Sequence, residues 1–401
     1  MTGGEHDALP AARPEVAAGA LTCGKPATTK EEVGRLLGVR SAAVRLVAIA
    51  ALVVLVAAGC ATTKKSSGGG GGGGKKIALL LPETKTTRYE AQDRPLFQAK
   101  VKALCGDCEI IYSNADQDAA KQQSQAEAAL TNGAKVMVLD PVDSASAGAM
   151  VTKAKAAGVP VVSYDRLVLN ADVDYYISFD NEKVGQLQGQ ALVGKLKEDG
   201  KKGSIVMING APTDNNAKLF KKGAHSVIDP SGFKVAKEYD TPDWSPDKAQ
   251  TEMEQAITAV GKDGFVGVYA ANDGTGGGAI AAMKGQGIKP STRPTTGQDA
   301  ELAAIQRLLT GDQYMTVYKA IKPEAEGAAQ LAVDLVNGQK NSPAATAKVN
   351  NGTKDVASVL LDPVAVTKEN IKDTIIKDNF LKTSDICSGP AASACTAAGI
   401  S

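Results

Sequence analysis

Between residues 76 and 361 the chain repeats one pattern: a short aliphatic run, a break, then an amphipathic stretch at helical spacing. That alternation constrains the fold more than any other feature. Parallel strands cannot be joined by a tight turn, and a helix is their usual crossover. Strands are expected at 76–81, 109–112, 135–139 and 159–163, with helices starting near Leu96 and covering 117–131 and 144–157. Asn132-Gly133 and Gly158 stop the last two helices. The same series restarts after Phe179. Helices are expected at 183–197, 216–228, 247–260, 279–285, 300–309 and 323–337. Strands are expected at 204–208, 233–236, 265–270, 294–296 and 314–318, with a late one at 356–361. Two such series predict an α/β protein of two doubly wound parallel-sheet domains. The stretch 161–189 is their junction. Its first strand ends on Asp165 and Arg166, and open parallel sheets bind ligands beyond the carboxyl ends of their strands.

Several function classes are set aside by composition. A formal net charge of +1 carries no nucleic-acid footprint. The two histidines, His6 and His225, are too few for a His-based metal site and too isolated to suggest a Ser/His triad. No metal or other cofactor is expected. Gly274-Thr275-Gly276-Gly277-Gly278-Ala279 fits a dinucleotide fingerprint, but that fingerprint belongs to a first βαβ unit and this one is late in the chain. Asp172 and Asp174 could suggest a glycosidase pair; a solvated turn between strands is the better reading, and no enzyme is expected.

The first 60 residues read as a leader. Arg35, Arg40 and Arg45 precede the apolar run 46–58, which is shorter than the ~20 residues that span a bilayer. A basic flank, an apolar run and small residues before a cleavage point make an export signal. Residues 55–60, LVAAGC, resemble a bacterial lipobox, in which the cysteine, here Cys60, is lipidated and becomes the new N-terminus. Ala57 stands where the pattern prefers Leu. Residues 29–45 also resemble the helix-turn-helix head of a sugar-responsive repressor, but a soluble regulator has no use for an export signal directly after it. Residues 61–75 form a Gly/Ser linker that cannot bury a core. Past the leader, Cys105, Cys108, Cys387 and Cys395 allow three pairings, and in an exported protein the two local disulfides are expected.

The strands end on polar residues: Arg88, Asp165, Arg166, Asp214, Asn215, Asn216, Asn272, Asp273, Gln298, Asp299 and Lys319. Carboxylates, amides and cations together suit a hydroxyl-rich ligand, because each hydroxyl can donate to one group and accept from another. Tyr89 and the sole Trp, Trp244, offer faces to cover apolar ring surface. Any one Asp or Asn here could equally be capping the next helix.

These residues carry a family resemblance. YDR at 164–166, YISFDNEKVG at 176–185, DNNAKLF at 214–220, NDGTGGGAI at 272–280, GQDAEL at 297–302, TVYKAI at 316–321, NNGTKDV at 350–356 and NIKDTIIKDNF at 370–380 occur in order across nearly all of 76–380. The chain resembles the periplasmic xylose-binding proteins of bacterial ABC importers, within the ribose/galactose-type sugar-binding family. The resemblance implies a type I periplasmic binding protein fold whose lobes are joined by a three-strand hinge. It places the first lobe at 76–179 plus 319–345, the second at 180–318 plus 346–385, and a tail at 386–401. Hinge crossings are then expected near 178–181, near 318–320 and between 340 and the 350s. It makes Arg88, Asp165, Arg166, Asp214, Asn216, Asn272, Asp299 and Lys319 polar ligands of a monosaccharide, with Tyr89 and Trp244 stacking on it. Tyr89 stands where these proteins usually carry Trp, and the 88–94 loop is one residue longer. Xylose leads as ligand, with glucose, ribose, galactose and arabinose behind it. The implied partners are an ABC permease and, through Cys60, the membrane, with the protein acting as a monomer outside the cytoplasm. A sugar sensor feeding a membrane receptor would use the same pocket.

Overall fold

The first strand, Lys76–Leu81, is apolar at every position after its lysine. A run that does not alternate must be covered on both faces. The computed structural model, which describes residues 74–400, shows how. Its strands are β1 (Lys76–Leu81), β2 (Glu109–Asn114), β3 (Val136–Leu139), β4 (Val161–Tyr164), β5 (Tyr175–Phe179), β6 (Ser204–Asn209), β7 (Lys234–Asp240), β8 (Gly267–Ala270), β9 (Met315–Tyr318), β10 (Ala347–Asn350), β11 (Asp355–Leu361) and β12 (Val364–Thr367). Its helices are α1 (Arg94–Leu104), α2 (Ala119–Thr131), α3 (Gly148–Ala156), α4 (Asn181–Glu198), α5 (Asn215–Ile228), α6 (Pro246–Val260), α7 (Asp273–Gly285), α8 (Leu302–Thr310), α9 (Ile321–Val336), α10 (Thr383–Ile386) and α11 (Ala392–Ala397). The lipobox Cys60, the export segment and most of the linker lie outside the described residues. No helix among the described residues is long and apolar enough to cross a membrane.

The first sheet runs β10-β11-β5-β4-β3-β1-β2, parallel throughout except for β10 at its edge. Successive side chains of a strand point to opposite faces. Ile77, Leu79 and Leu81 therefore pack with α1 and α9, while Ala78 and Leu80 pack with α2 and α3. Each fully buried large aliphatic side chain contributes about 1.5–3 kcal/mol. The second lobe holds β7-β6-β8 in parallel and β12 antiparallel to β9. Residues 294–296 lie between the two groups, bridged once to β8 (Val268 to Thr295) and with the Thr295 carbonyl accepting from the Tyr314 N–H at 3.1 Å, rather than forming the strand expected from sequence. Pro294 has no N–H to give a ladder.

The chain changes lobe three times. After β5 it enters α4, whose buried face packs with β6 and α5. After β9 it returns to the first lobe as α9, which packs beside α1. After β11 it crosses once more to β12 and β9. The third crossing thus falls at 362–363, later than the sequence suggested. Residues 347–361 belong to the first sheet and not to the second lobe, because β11 finds parallel partners in β5 from Tyr175 to Phe179. The C-terminal residues are not a free tail either. Ile386, Cys395 and Ile400 are buried against Ile305, Leu308 and Leu309 of α8. Disulfides join Cys105 to Cys108 and Cys387 to Cys395.

In the second lobe, α4 and α5 lie so close that a Cβ on Gly185 would strike the Phe220 carbonyl, and one on Gly223 the Glu182 carbonyl. Two backbones cannot yield as a flexible side chain can. Gly223→Ala is therefore expected to lose about 1–3 kcal/mol of stability, although Ala is the better helix former. A urea titration reads this as a lower midpoint; an unchanged midpoint would mean that the helices separate freely.

Candidate functional site

Every loop at the carboxyl end of β1, β3 and β4 turns toward the second lobe, and the groups they carry are charged. After β1, Tyr89–Asp93 wind as a π-helical turn into α1. Arg88 stands at its start, 3% exposed. Its Nε and Nη2 donate to the two oxygens of Asp93 at 2.9 and 2.6 Å, its Nη2 also to Glu324 of α9 at 2.5 Å, and its Nη1 to Asp165 at 3.3 Å. Tyr164 adds a hydroxyl hydrogen bond to Asp93. A guanidinium so held presents a fixed face.

After β4 the backbone turns sharply. Asp165 has φ of +51°, a left-handed conformation that costs about 1–2 kcal/mol for a residue with a Cβ. Its carbonyl accepts from Tyr176 Oη at 3.2 Å and from Asn216 Nδ2 at 3.0 Å. Its carboxylate accepts from Tyr89 Oη at 2.9 Å and faces Lys319 at 3.9 Å. Burial pushes its pKa up, but Arg88, Lys319 and Arg166 together outweigh that and hold it at about 2. The neighbouring Arg166 reaches Asp214 of the second lobe at 3.1 Å, with Glu83 and Asp140 behind it at 3.6 Å.

The second lobe answers with helix starts. Asp214 caps α5, accepting from the Asn216 N–H at 2.8 Å through Oδ1, while Oδ2 accepts from Trp244 Nε1 at 3.2 Å. Asn272 caps α7, its Oδ1 accepting from the Thr275 N–H at 2.9 Å. The capping reading of these residues and their place at the site are both true, because a carboxylate or amide has more than one polar atom. Trp244 stands edge-on to Phe220, centroids 6.3 Å apart, and over Gly210, where any Cβ would collide with the indole. From the hinge, Lys319 pairs with Asp299 at 3.1 Å. Burial works against its ammonium, but Asp299 and Asp165 raise its pKa above the ordinary value.

The ten residues that the family resemblance assigned to the ligand line one cavity: Arg88, Tyr89, Asp165, Arg166, Asp214, Asn216, Trp244, Asn272, Asp299 and Lys319; of the other strand-ending polar residues Gln298 lines it, and Asn215 and Asp273 do not. About 260 Å³ of space, part of it open to solvent, lies among the lining residues. Thr86, Phe220 and Gln298 complete the lining. Phe220 was legible in principle, since it lies four residues after Asn216 and so on the same helix face. Glu83, Asp93, Asp140 and Glu324, which support the arginines, were not, because each looks like a loop or surface acid in sequence. Burial drives the pKa values of Asp140 and Glu324 well above the carboxylate range and raises that of Glu83. Around the pocket, Arg166 Nε, Gln298 Oε1 and Asp299 Oδ1 have no hydrogen-bond partner in the protein. Among the described residues the one cluster of metal-ligating types is Cys105, Asp107 and Cys108, whose cysteines are already joined.

Comparison with known proteins gives a consistent picture. The family described as "Periplasmic binding protein domain" matches residues 77–340. The D-xylose-binding periplasmic protein of Escherichia coli (strain K12) is 41% identical over 314 residues, covering 77% of this chain and 92% of that protein. The multiple sugar-binding periplasmic receptor ChvE of Rhizobium radiobacter is 34% identical, over 68% of this chain and 81% of its own. Among solved structures, an ABC transporter solute binding protein from Clostridium phytofermentans with bound β-D-glucose superposes with a TM-score of 0.71. It is 29% identical and covers 78% of this chain and 100% of its own.

One contact across the lobes titrates. Glu301 Oε1 accepts from the Thr87 N–H at 3.2 Å. Burial, then the nearby Asp299, push its carboxyl from 4.5 up to about 7. In an open form the group returns to water and to its ordinary value, so closing takes up a proton between those two pH values. Closure is therefore favoured at low pH, loses that contribution as pH rises from 4.5, and has lost it above about 7. Fluorescence transfer between labels on the two lobes should show the closed fraction falling from pH 5 to 7. Glu301→Gln should flatten the profile; an unaltered slope would assign it to other carboxyls.

Proposed function

The chain belongs to the periplasmic binding protein domain family, and on that premise we propose that it captures a monosaccharide, D-xylose first, between its lobes and delivers it to an ABC importer. It is a binding protein and not an enzyme. The observation that carries the reading is the character of the cavity: buried carboxylates, amides and cations from both lobes around three aromatic side chains, Tyr89, Phe220 and Trp244. Asp165, Asp214 and Asp299 would accept from sugar hydroxyls. Arg88, Arg166, Asn216, Asn272 and Lys319 would donate to them. Tyr89 and Trp244 would cover the C–H faces of the ring. Gln298 Oε1 is buried without a hydrogen bond, and Arg166 Nε and Asp299 Oδ1 have ion-pair partners in Asp214 and Lys319 but no hydrogen bond of their own; these are groups that a polyol would satisfy. Xylose is placed first because the 41% identical relative is named for it.

The mechanism rests on where these groups sit. Asp165 and Arg166 belong to the first lobe and Asp214, Asn272 and Asp299 to the second, so a ligand touching both sets stabilises the closed form over the open one. A ligand biases closure only through such differential contacts. The lipobox reading of Cys60 and the Gly/Ser linker would tether this domain to the outer face of the cell membrane, where a permease could receive the closed form. The Rhizobium radiobacter relative carries the name of a receptor, which favours a membrane sensor as the second reading.

Calorimetry of the chain from residue 75 against pentoses and hexoses tests the proposal. Tight binding of xylose alone supports pocket and ligand together. Binding of another aldose keeps the mechanism and moves attention to Tyr89, while no monosaccharide binding ends the reading. Asp299→Ala should weaken binding by about 10- to 150-fold, the loss of ~1.5–3 kcal/mol expected when a charged hydrogen-bonding partner is removed. An unchanged affinity would remove Asp299 from the site.

A further inference from the structure

A second cavity adjoins the first, and the two share Arg88 and Asp299 as walls. It encloses about 930 Å³ of empty space, part of it open to solvent. Its other walls come from both lobes. Ala91 lies on the turn after β1, Leu302 and Ala303 open α8, and Phe380 and Leu381 come from the C-terminal segment. Leu302 is 37% exposed, one of few large hydrophobic side chains left so far in water among the described residues. The two cavities thus differ in kind: the inner one is ringed by charge, the outer one walled mainly by carbon.

The partition between them is a seam rather than a solid wall. Arg88 is fixed within the first lobe by Asp93 and Glu324, and Asp299 pairs with Lys319. No hydrogen bond joins Arg88 to Asp299, and they come from opposite lobes. Opening the cleft separates them. Gln92 Nε2 to the Phe380 carbonyl at 3.1 Å and Thr87 N to Glu301 at 3.2 Å span the same seam farther out, so the outer cavity takes its shape only when the lobes meet.

Resting on the sugar-binding reading, we propose that the outer cavity is a subsite for an apolar substituent carried by the bound sugar, so that the protein takes alkyl or aryl glycosides as well as the free monosaccharide. The inner pocket holds the glycone, the glycosidic oxygen passes between Arg88 and Asp299, and the aglycone lies against Leu302, Phe380 and Leu381. Burial of an aromatic ring there would offset the loss of the anomeric hydroxyl's hydrogen bonds.

The test is calorimetry of the intact protein with D-xylose, D-glucose, and the phenyl α- and β-glycosides of each. For the sugar that binds, one phenyl anomer should bind within 10-fold of it or more tightly. Leu302→Asp lies outside the inner pocket at an exposed helix start. It should weaken the phenyl glycoside at least 10-fold and leave the free sugar unchanged. If the free sugar binds but both phenyl glycosides are more than 100-fold weaker, the outer subsite is overturned and the sugar-binding reading stands. Phenyl glycoside binding that Leu302→Asp leaves untouched, or weakens in step with the free sugar, overturns the placement. If neither free sugars nor glycosides bind, both readings fall.

Discussion

Arg88, Arg166 and Lys319 are each no more than 3% exposed, and a cation taken out of water costs several kcal/mol unless carboxylates surround it. Glu83, Asp93, Asp140, Asp165, Asp214, Asp299 and Glu324 do surround them, equally buried. No single loop supplies this set. Two of the acids come after β1, one after β3, one after β4, two from the second lobe, and Glu324 lies on α9. The returning helix α9 therefore does more than cover the first sheet. Without it Arg88 would lose the partner at 2.5 Å and keep a buried charge with Asp93 as its one close bidentate partner. The architecture of two lobes with a chain that crosses back is what lets so many charges meet in one dry place.

Acids outnumber cations in that place, and the imbalance is settled by protonation. Asp140 is the clearest case: neither oxygen has a hydrogen-bond partner, Arg166 is no nearer than 3.6 Å, and burial drives its carboxyl toward the neutral form. Asp165 is the opposite case, kept ionised by three cations although it is as deeply buried. The balance of neighbouring charge decides between them, not depth: three cations face Asp165, whereas the pull of Arg166 on Asp140 is opposed by Asp165 and Asp214. Backbone strain is concentrated in the same region. Asp165, Asp243, Trp244, Asp299 and Ala300 all have positive φ, and such residues persist only where the surroundings over-determine them. The Asp165 turn shows how, since Tyr176 and Asn216 clamp its carbonyl from the two lobes.

Much of this was legible in the sequence because the fold is periodic. A continuous aliphatic run such as 77–81 reads as a strand covered on both faces, and helices at 3.6 spacing sort themselves between such runs. The strand-ending polar residues were legible as a group for the same reason: in a parallel sheet they all end up on one side. The parts that stayed hidden depend on long-range pairing. Nothing in 347–361 says that β11 will lie against β5 and not in the second lobe, since both sheets offer a parallel edge. Glu324 sits in an amphipathic helix, where an acid normally faces water. Pro294–Thr296 has strand-like composition but too few donors to act as one. The family resemblance located the pocket residues, yet gave no reason for Asp140 or Glu83, which touch Arg166 from behind.

Lys319 connects the charge network to motion. It stands between β9 and α9, in a hinge segment, and its ammonium is also a pocket wall between Phe179 and Phe220, 5.5 and 5.9 Å from their centroids. Its partners Asp165 and Asp299 belong to different lobes. Any rotation about the hinge that separates the lobes must lengthen at least one of those pairs, because the ammonium cannot go with both. The open form then leaves a carboxylate or the ammonium to water, where solvation replaces the lost partner at little cost. The closed form must instead supply all partners from within. A ligand hydroxyl inserted among Asp165, Lys319 and Asp299 would relieve that demand, since it donates to a carboxylate and accepts from the ammonium at once. The same geometry that makes closure expensive without a polyol would make it favourable with one, and the hinge residue is the point at which the two effects would be joined.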